Sequence, residues 1–372
     1  MKILVGGDVA PKLNITELIE KNDFSFFSEL QNLSKEYDTT IINLESPFAD
    51  TCDAPIEKYG PNLKCSPSTV KALEYAGVNV VTLANNHILD YGHEALLRTK
   101  AICEQNGILT IGVGQRLSQA QNPLILEANN CRIGLINCCE HEFSIATESD
   151  AGANPLDPIS QFYAIRKLKP NVDYLIVIVH GGHEHYNLPS TRMQKLYRFF
   201  IDSGADVVIN HHQHCFSGYE QYNEGLIFYG LGNLCFPAGR KVNDSWYKGY
   251  MVGLEFMPGS KIKFKIHPYE QCYNNNPAVH FLSEDAFSSD LEDLNKIISS
   301  TELLQNRERA YYDSWDKTTY SNLDILTNRY LIALRNKGLL PKFLSHKYLL
   351  RLKNHVLCES HLDKVQHFLK KV

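Results

Sequence analysis

Short apolar, β-branched runs recur through the first part of the chain, at 3–7, 40–44, 79–84, 109–113, 132–137, 174–179, 207–210 and 226–231. Helix-patterned stretches at 15–36, 67–76, 93–106, 158–168 and 190–203 alternate with them. Runs this brief suit strands buried on both faces, and their alternation with helices predicts an α/β domain built from crossover units. Gly77, Gly107 and Gly204 come directly after three of the helical stretches, where a left-handed cap is expected. Two further alternating runs, 250–256 and 261–266, flank Pro258-Gly259 and predict a closing antiparallel hairpin.

The residues just past each run carry the chemistry. The first run ends in Asp8, the second in Asn43-Leu44-Glu45, the third in Asn85-Asn86-His87, and later ones in His180, in Asn210-His211-His212-Gln213-His214 and in Asn233. Loops beyond the carboxyl ends of strands in an open α/β sheet converge on one crevice, so these side chains are brought together. Singly, Asp8, Asn85 and Asn86 read equally as turn formers, His180 as a hydrogen-bonded core histidine, and the 211–214 tract as a surface cluster. Repeated at strand end after strand end, they read as oxygen and nitrogen ligands for divalent Zn, Mn, Fe or Mg, without the thiolates of a structural zinc site.

Composition sets the remaining bounds. A net charge of −5, with 44% hydrophobic and 21% charged residues, describes a globular chain with no general pull toward polyanions, so no nucleic-acid partner is expected. No signal peptide or transmembrane anchor is apparent, and ten cysteines without a CxxC pair suit reduced thiols, which together predict a cytoplasmic protein. Cys138-Cys139 reads as buried apolar packing. Past Tyr269 the character changes: Asn274-Asn275-Asn276 reads as a loop and the remainder as mainly helical with no strong strand signal. The expected division is a domain at 1–269 and a helical extension at 270–372. Residues 335–371 are rich in Lys and Arg and read as a solvated helical surface.

Gly7-Asp8-Val9, Asn43-Leu44-Glu45, Leu83-Ala84-Asn85-Asn86-His87 with Leu89-Asp90-Tyr91-Gly92, His180-Gly181-Gly182 with Glu184, His211-His212 with His214, and Leu231-Gly232-Asn233 resemble the motifs of the CapA family. These are bacterial capsule and poly-γ-glutamate synthesis proteins, similar to the calcineurin-like metallophosphoesterases. The resemblance covers about residues 3–236. It implies a four-layer αββα sandwich holding two divalent ions, with Asp8 and Glu45 as carboxylate ligands and Glu45 as the bridge. Asn86, His180 and His212 would serve one ion and His214 the other, while His87 would face the substrate as the catalytic acid. Lys64, His183, Glu184 and His185 are candidates for substrate contact.

The implied activity is metal-dependent hydrolysis, of a phosphoester first, in capsule, poly-γ-glutamate or other cell-envelope polymer synthesis. An anionic small molecule or polymer would be the substrate and capsule biosynthesis proteins the partners. A non-catalytic metal-containing component of that machinery and a two-metal amide or peptide hydrolase are the alternatives. Two positions depart from the pattern: Ala10 stands where the superfamily has a histidine, and Gly181 where the family often has tryptophan.

Overall fold

The computed structural model describes residues 1–239, 241–273, 276–323, 334, 337–339 and 345–371. Strands β1 (Lys2–Val9), β2 (Thr39–Leu44), β3 (Val80–Thr82) and β4 (Leu109–Ile111) run parallel in that order. A two-stranded ribbon pairs β5 (Val113–Gly114) with β8 (Gly152–Ala153). The second sheet has β7 (Cys131–Cys139), β9 (Tyr174–His180), β10 (Val207–His211) and β12 (Gly225–Phe228) in parallel at its centre. Its antiparallel edges are β6 (Leu124–Ala128) and β11 (Tyr219–Tyr222). The chain then returns to β1, with β13 (Asn233–Cys235) parallel to its end and β14 (Lys248–Glu255) antiparallel to its start. β15 (Lys263–Gln271) and β16 (Val279–Phe281) complete that edge.

Successive strand residues face opposite ways, and the cores show it. Ile3, Val5, Ile41 and Val80 pack with Ile133, Leu135, Ile176 and Ile178 of the second sheet. Their neighbours Leu4, Ile42 and Val81 turn outward onto Ile15 and Ile19, Leu30, Leu73 and Leu96 of helices Asn14–Glu20, Ser28–Ser34, Thr69–Tyr75 and Gly92–Gln105. Helices Pro158–Leu168 and Thr191–Ser203 cover the far side of the second sheet through Ile165, Leu168, Tyr197 and Phe200. The result is the four-layer αββα sandwich expected. At about 1.5–3 kcal/mol per fully buried large apolar side chain, these faces hold both sheets in register.

Gly77, Gly107 and Gly204 take positive φ after their helices, as expected. The helix expected at 15–36 is broken in two, because Asn22 adopts a φ of 55° and the Asp23 carboxylate accepts from Ser25 N at 3.1 Å. All ten cysteines are unpaired, and Cys138 and Cys139 are buried in the core.

The absence of strand signal past Tyr269 needs correction: β15 continues to Gln271 and β16 pairs with it. β16 is a three-residue edge strand with exposed His280 at its centre, so it makes no apolar run. Asn274 and Asn275, and Arg335 and Lys342 of the basic tract, lie outside the described residues. Beyond β16, helix Ser288–Ser299 packs Leu291, Leu294 and Ile298 into the core. Helices Thr301–Leu323, His346–Leu357 and Glu359–Leu369 come next. The last of them is tied to the sandwich by polar contacts. Arg192 donates to Glu140 at 2.6 Å and Asp363 at 2.9 Å, and His141 donates to Glu359 at 2.6 Å. Among the described residues no helix is long and apolar enough to cross a membrane.

Candidate metal centre

β1 delivers Asp8 through a tight approach. A Cβ on Gly7 would lie 1.9 Å from Gly232 O, the carbonyl that accepts from Asp8 N at 3.1 Å. The Asp8 carboxylate accepts from Asn43 Nδ2 at 2.8 Å and from His212 N at 3.1 Å, with His211 Nδ1 3.2 Å away. Burial alone would raise its pKa, but the imidazoles of His211, His180 and His214 outweigh burial and hold it well below the usual carboxylate range.

Glu45, at the exit of β2, is in the opposite state. It is fully buried, and among the described residues neither carboxylate oxygen has a hydrogen-bond partner. Its Oε1 lies 3.5 Å from His180 Nε2 and 3.8 Å from His214 Nε2. Burial, reinforced by the charges of Asp8 and Glu184, pushes its pKa well up. Glu45 is shared by two groups whose candidate ligand atoms lie within 4.8 Å of one another: Glu45 with His180 and His212, and Asp8 with Glu45 and His214.

The imidazoles are oriented for this. His180 Nε2 lies 3.0 Å from both Asn86 Oδ1 and His212 Nδ1, so three donor atoms converge on one point. Asn233 Nδ2 donates to the carbonyls of His214 and Trp246, which fixes its amide, and Asn233 Oδ1 then accepts from His214 Nδ1 at 2.9 Å. That leaves the His214 Nε2 lone pair toward Glu45. Burial drives the pKa of His180 well down and that of His214 to about 4, which keeps both neutral and able to ligate. His212 and His214 adopt φ of 90° and 57°, a region that non-glycine residues seldom enter except where function holds them.

His87 stands beside this group. Its Nδ1 donates to Asp90 Oδ2 at 2.6 Å, and Lys58 pairs with the other Asp90 oxygen. Neither Asp90 nor Lys58 was among the residues expected to act. Asp90 stands in one of the family-like motifs, three residues after His87, whereas Lys58 lies in a loop with no periodic signal. Lys64 is placed elsewhere, donating to Asp50 O at 2.8 Å and lying over the Tyr91 ring.

Ala10 is packed with Phe236 and Trp246, so its place in the pattern is apolar. Gly181 is required by Glu140, whose Cγ would lie 2.7 Å from a Cβ there. Of the other candidates, His183 turns to the C-terminal helices and meets Tyr312 OH at 3.0 Å. Glu184 and His185 line a cavity beside His212. Burial would raise the Glu184 pKa, but His212, His214 and His185 bring it down to about 2. The extension touches the centre too: Cys358 Sγ donates to Glu142 Oε1 at 3.5 Å, and Glu142 Oε2 accepts from Asn86 Nδ2 at 3.2 Å.

The family profile described as bacterial capsule synthesis protein PGA_cap matches residues 2–238, the stretch that carries every candidate ligand. The chain belongs to this family. Within it, the chain is 28% identical over 242 residues to the capsule biosynthesis protein CapA of Bacillus anthracis, covering 63% of this chain and 59% of that one. It is 28% identical over 238 residues to the PGA biosynthesis protein CapA of Bacillus subtilis (strain 168), covering 63% and 62%. In both cases the match spans less than two thirds of the relative. Among solved structures, a phosphatase from Mycoplasma pneumoniae is similar at 17% identity and a TM-score of 0.47, over 76% of this chain and 95% of that one. The PGA_cap match ends before the C-terminal helices.

Proposed function

We propose that this PGA_cap protein is a dinuclear metal-dependent hydrolase, acting on phosphoesters in capsule, poly-γ-glutamate or related envelope-polymer synthesis. Glu45 carries the reading. A buried carboxylate without hydrogen bonds among the described residues, facing His180 Nε2 and His214 Nε2 and shared by two ligand groups, is costly unless cations neutralise it. Asp8, Glu45, Asn86, His180, His212 and His214 would hold two ions. A bound pair supplies water activation and charge neutralisation at phosphoryl oxygens.

The chain's own residues account for the rest. Asn43 and Asn233 fix Asp8 and His214. Asp90 holds the His87 proton on Nδ1 and Lys58 balances the Asp90 charge. His87 Nε2 remains for the substrate and, when protonated, can donate to the leaving oxygen.

Metal analysis of the purified full-length protein, run beside a panel of phosphoesters and γ-glutamyl peptides, tests the reading. About two divalent ions per chain with phosphoester turnover is the expected result. Absence of bound metal, or turnover confined to γ-glutamyl peptides, would falsify it.

A further inference from the structure

The basic tract near the C-terminus reads as solvated surface, yet two of its cations face inward. Helices His346–Leu357 and Glu359–Leu369 wall a cavity of about 280 Å³ that opens on the metal centre at His212. Arg351 donates to Tyr59 OH at 2.9 Å and lies over that ring, while its Nε is buried without a partner among the described residues. Lys364 Nζ sits 4.2 Å above the Trp315 ring and 5.4 Å from that of Tyr311. Neither cation forms an ion pair with a carboxylate among the described residues. His355 and His361 join the same lining, at 3.4 Å from each other.

Among the described residues Glu184 is the one carboxylate of the lining, and it stands on the His212 side and forms no ion pair with Arg351 or Lys364. Burial lowers the Lys364 pKa and Glu184 only partly restores it, so the ammonium is poorly neutralised in this setting. Partly buried cations held against aromatic faces, with a donor left unsatisfied, are arranged for an incoming anion.

We propose that this cavity is an anion subsite of the metal centre, and that the substrate carries a second acidic group, carboxylate or phosphate, held by Arg351 and Lys364. The cavity's volume, about 280 Å³, is at the small end of ligand pockets, roughly 300–1,000 Å³. It suits a small metabolite or a polymer end rather than a polymer's interior. The subsite rests on the hydrolase reading only for the group placed at the metal centre.

The test is binding to the manganese-loaded full-length protein, by calorimetry, of methylphosphonate, phosphonoacetate and methylenediphosphonate. The second anion of the latter two is a carboxylate and a phosphonate respectively, so whichever binds tighter names the group. Wild type is expected to favour at least one of them over methylphosphonate by about tenfold or more, the scale of one charge-assisted hydrogen bond. Arg351→Gln and Lys364→Gln should each lose most of that preference while keeping methylphosphonate affinity, and Arg351→Lys should retain part of it. Equal binding of all three probes by wild type overturns the proposal whatever the variants do. So does a preference that survives both glutamine variants, or one lost as fully in Arg351→Lys. Preference without turnover on any phosphoester sinks the hydrolase reading alone, and turnover without preference sinks the subsite alone.

Discussion

The candidate metal centre and the C-terminal helices meet at one cavity but are held in place by different physics. Asp8, Glu45, His180 and His212 leave the ends of buried strands, and their positions derive from sheet register. Arg351 and Lys364 arrive on two helices, with Cys358 between them, whose attachment includes Arg192–Asp363 and His141–Glu359, contacts between partly buried charged groups. A site set by register inherits the rigidity of the core. One set by polar docking can be loosened without touching the core, because its geometry depends on a few partly buried charged pairs.

Changes on the core side should have the larger effects. Glu45→Gln removes the group both ligand sets share, so bound metal should fall from about two ions toward none, with turnover down by about 10³-fold or more; retention of both ions, measured by mass spectrometry, would refute the bridge. His87→Ala should cost about 10²-fold in kcat with metal content unchanged. Asp90→Asn, which only orients His87, should cost about tenfold. A loss of metal in either variant would make that pair structural instead.

On the extension side the expected changes are in stability. Arg192→Gln deletes hydrogen bonds to Glu140 and Asp363 and should weaken docking by roughly 1.5–3 kcal/mol, the range for bonds to charged groups. Limited proteolysis should then cut within the C-terminal helices while the sandwich stays intact and metal-loaded; unchanged cleavage would show that apolar contacts suffice. The smallest effect is one of pH. Burial pushes the Asp363 pKa up to about 6 against the pull of Arg192, whose charge Glu140 also draws on. Below the ordinary carboxyl range Asp363 is protonated whether docked or free. Between that range and about 6 only the docked form keeps its proton, so the advantage of docking declines as pH rises through about 6. Between pH 5 and pH 7 wild type should lose protection of these helices from protease relative to Asp363→Asn, and an identical pH dependence of the two would refute this.

The same contrast explains what could be read from residues alone. The sandwich was legible because strand runs are local patterns, and the candidate ligands because each stands one to four residues past such a run. Asn43 and Asn233 were visible inside motifs, but an amide that fixes a ligand looks like a turn former until its partner is known. β16 escaped because a short edge strand buries too little to show an apolar run. His361 and Lys364 stand three residues apart in helix Glu359–Leu369, which places them on one face, and Cys358 caps the start of that helix. Nothing in that spacing says which surface the face meets, since docking through polar pairs leaves no periodic trace.

Cys358 gives the seam between the two regions a clock. Cys52 is exposed, whereas Cys358 is buried where the last helices meet Glu142. A thiol-alkylating reagent should mark Cys52 at once. Cys358 should be marked only as often as the helices stand away from the sandwich, so the ratio of the two labelling rates measures the population of that separation. An engineered fluorophore is unnecessary, because the two native thiols already supply the exposed reference and the buried reporter.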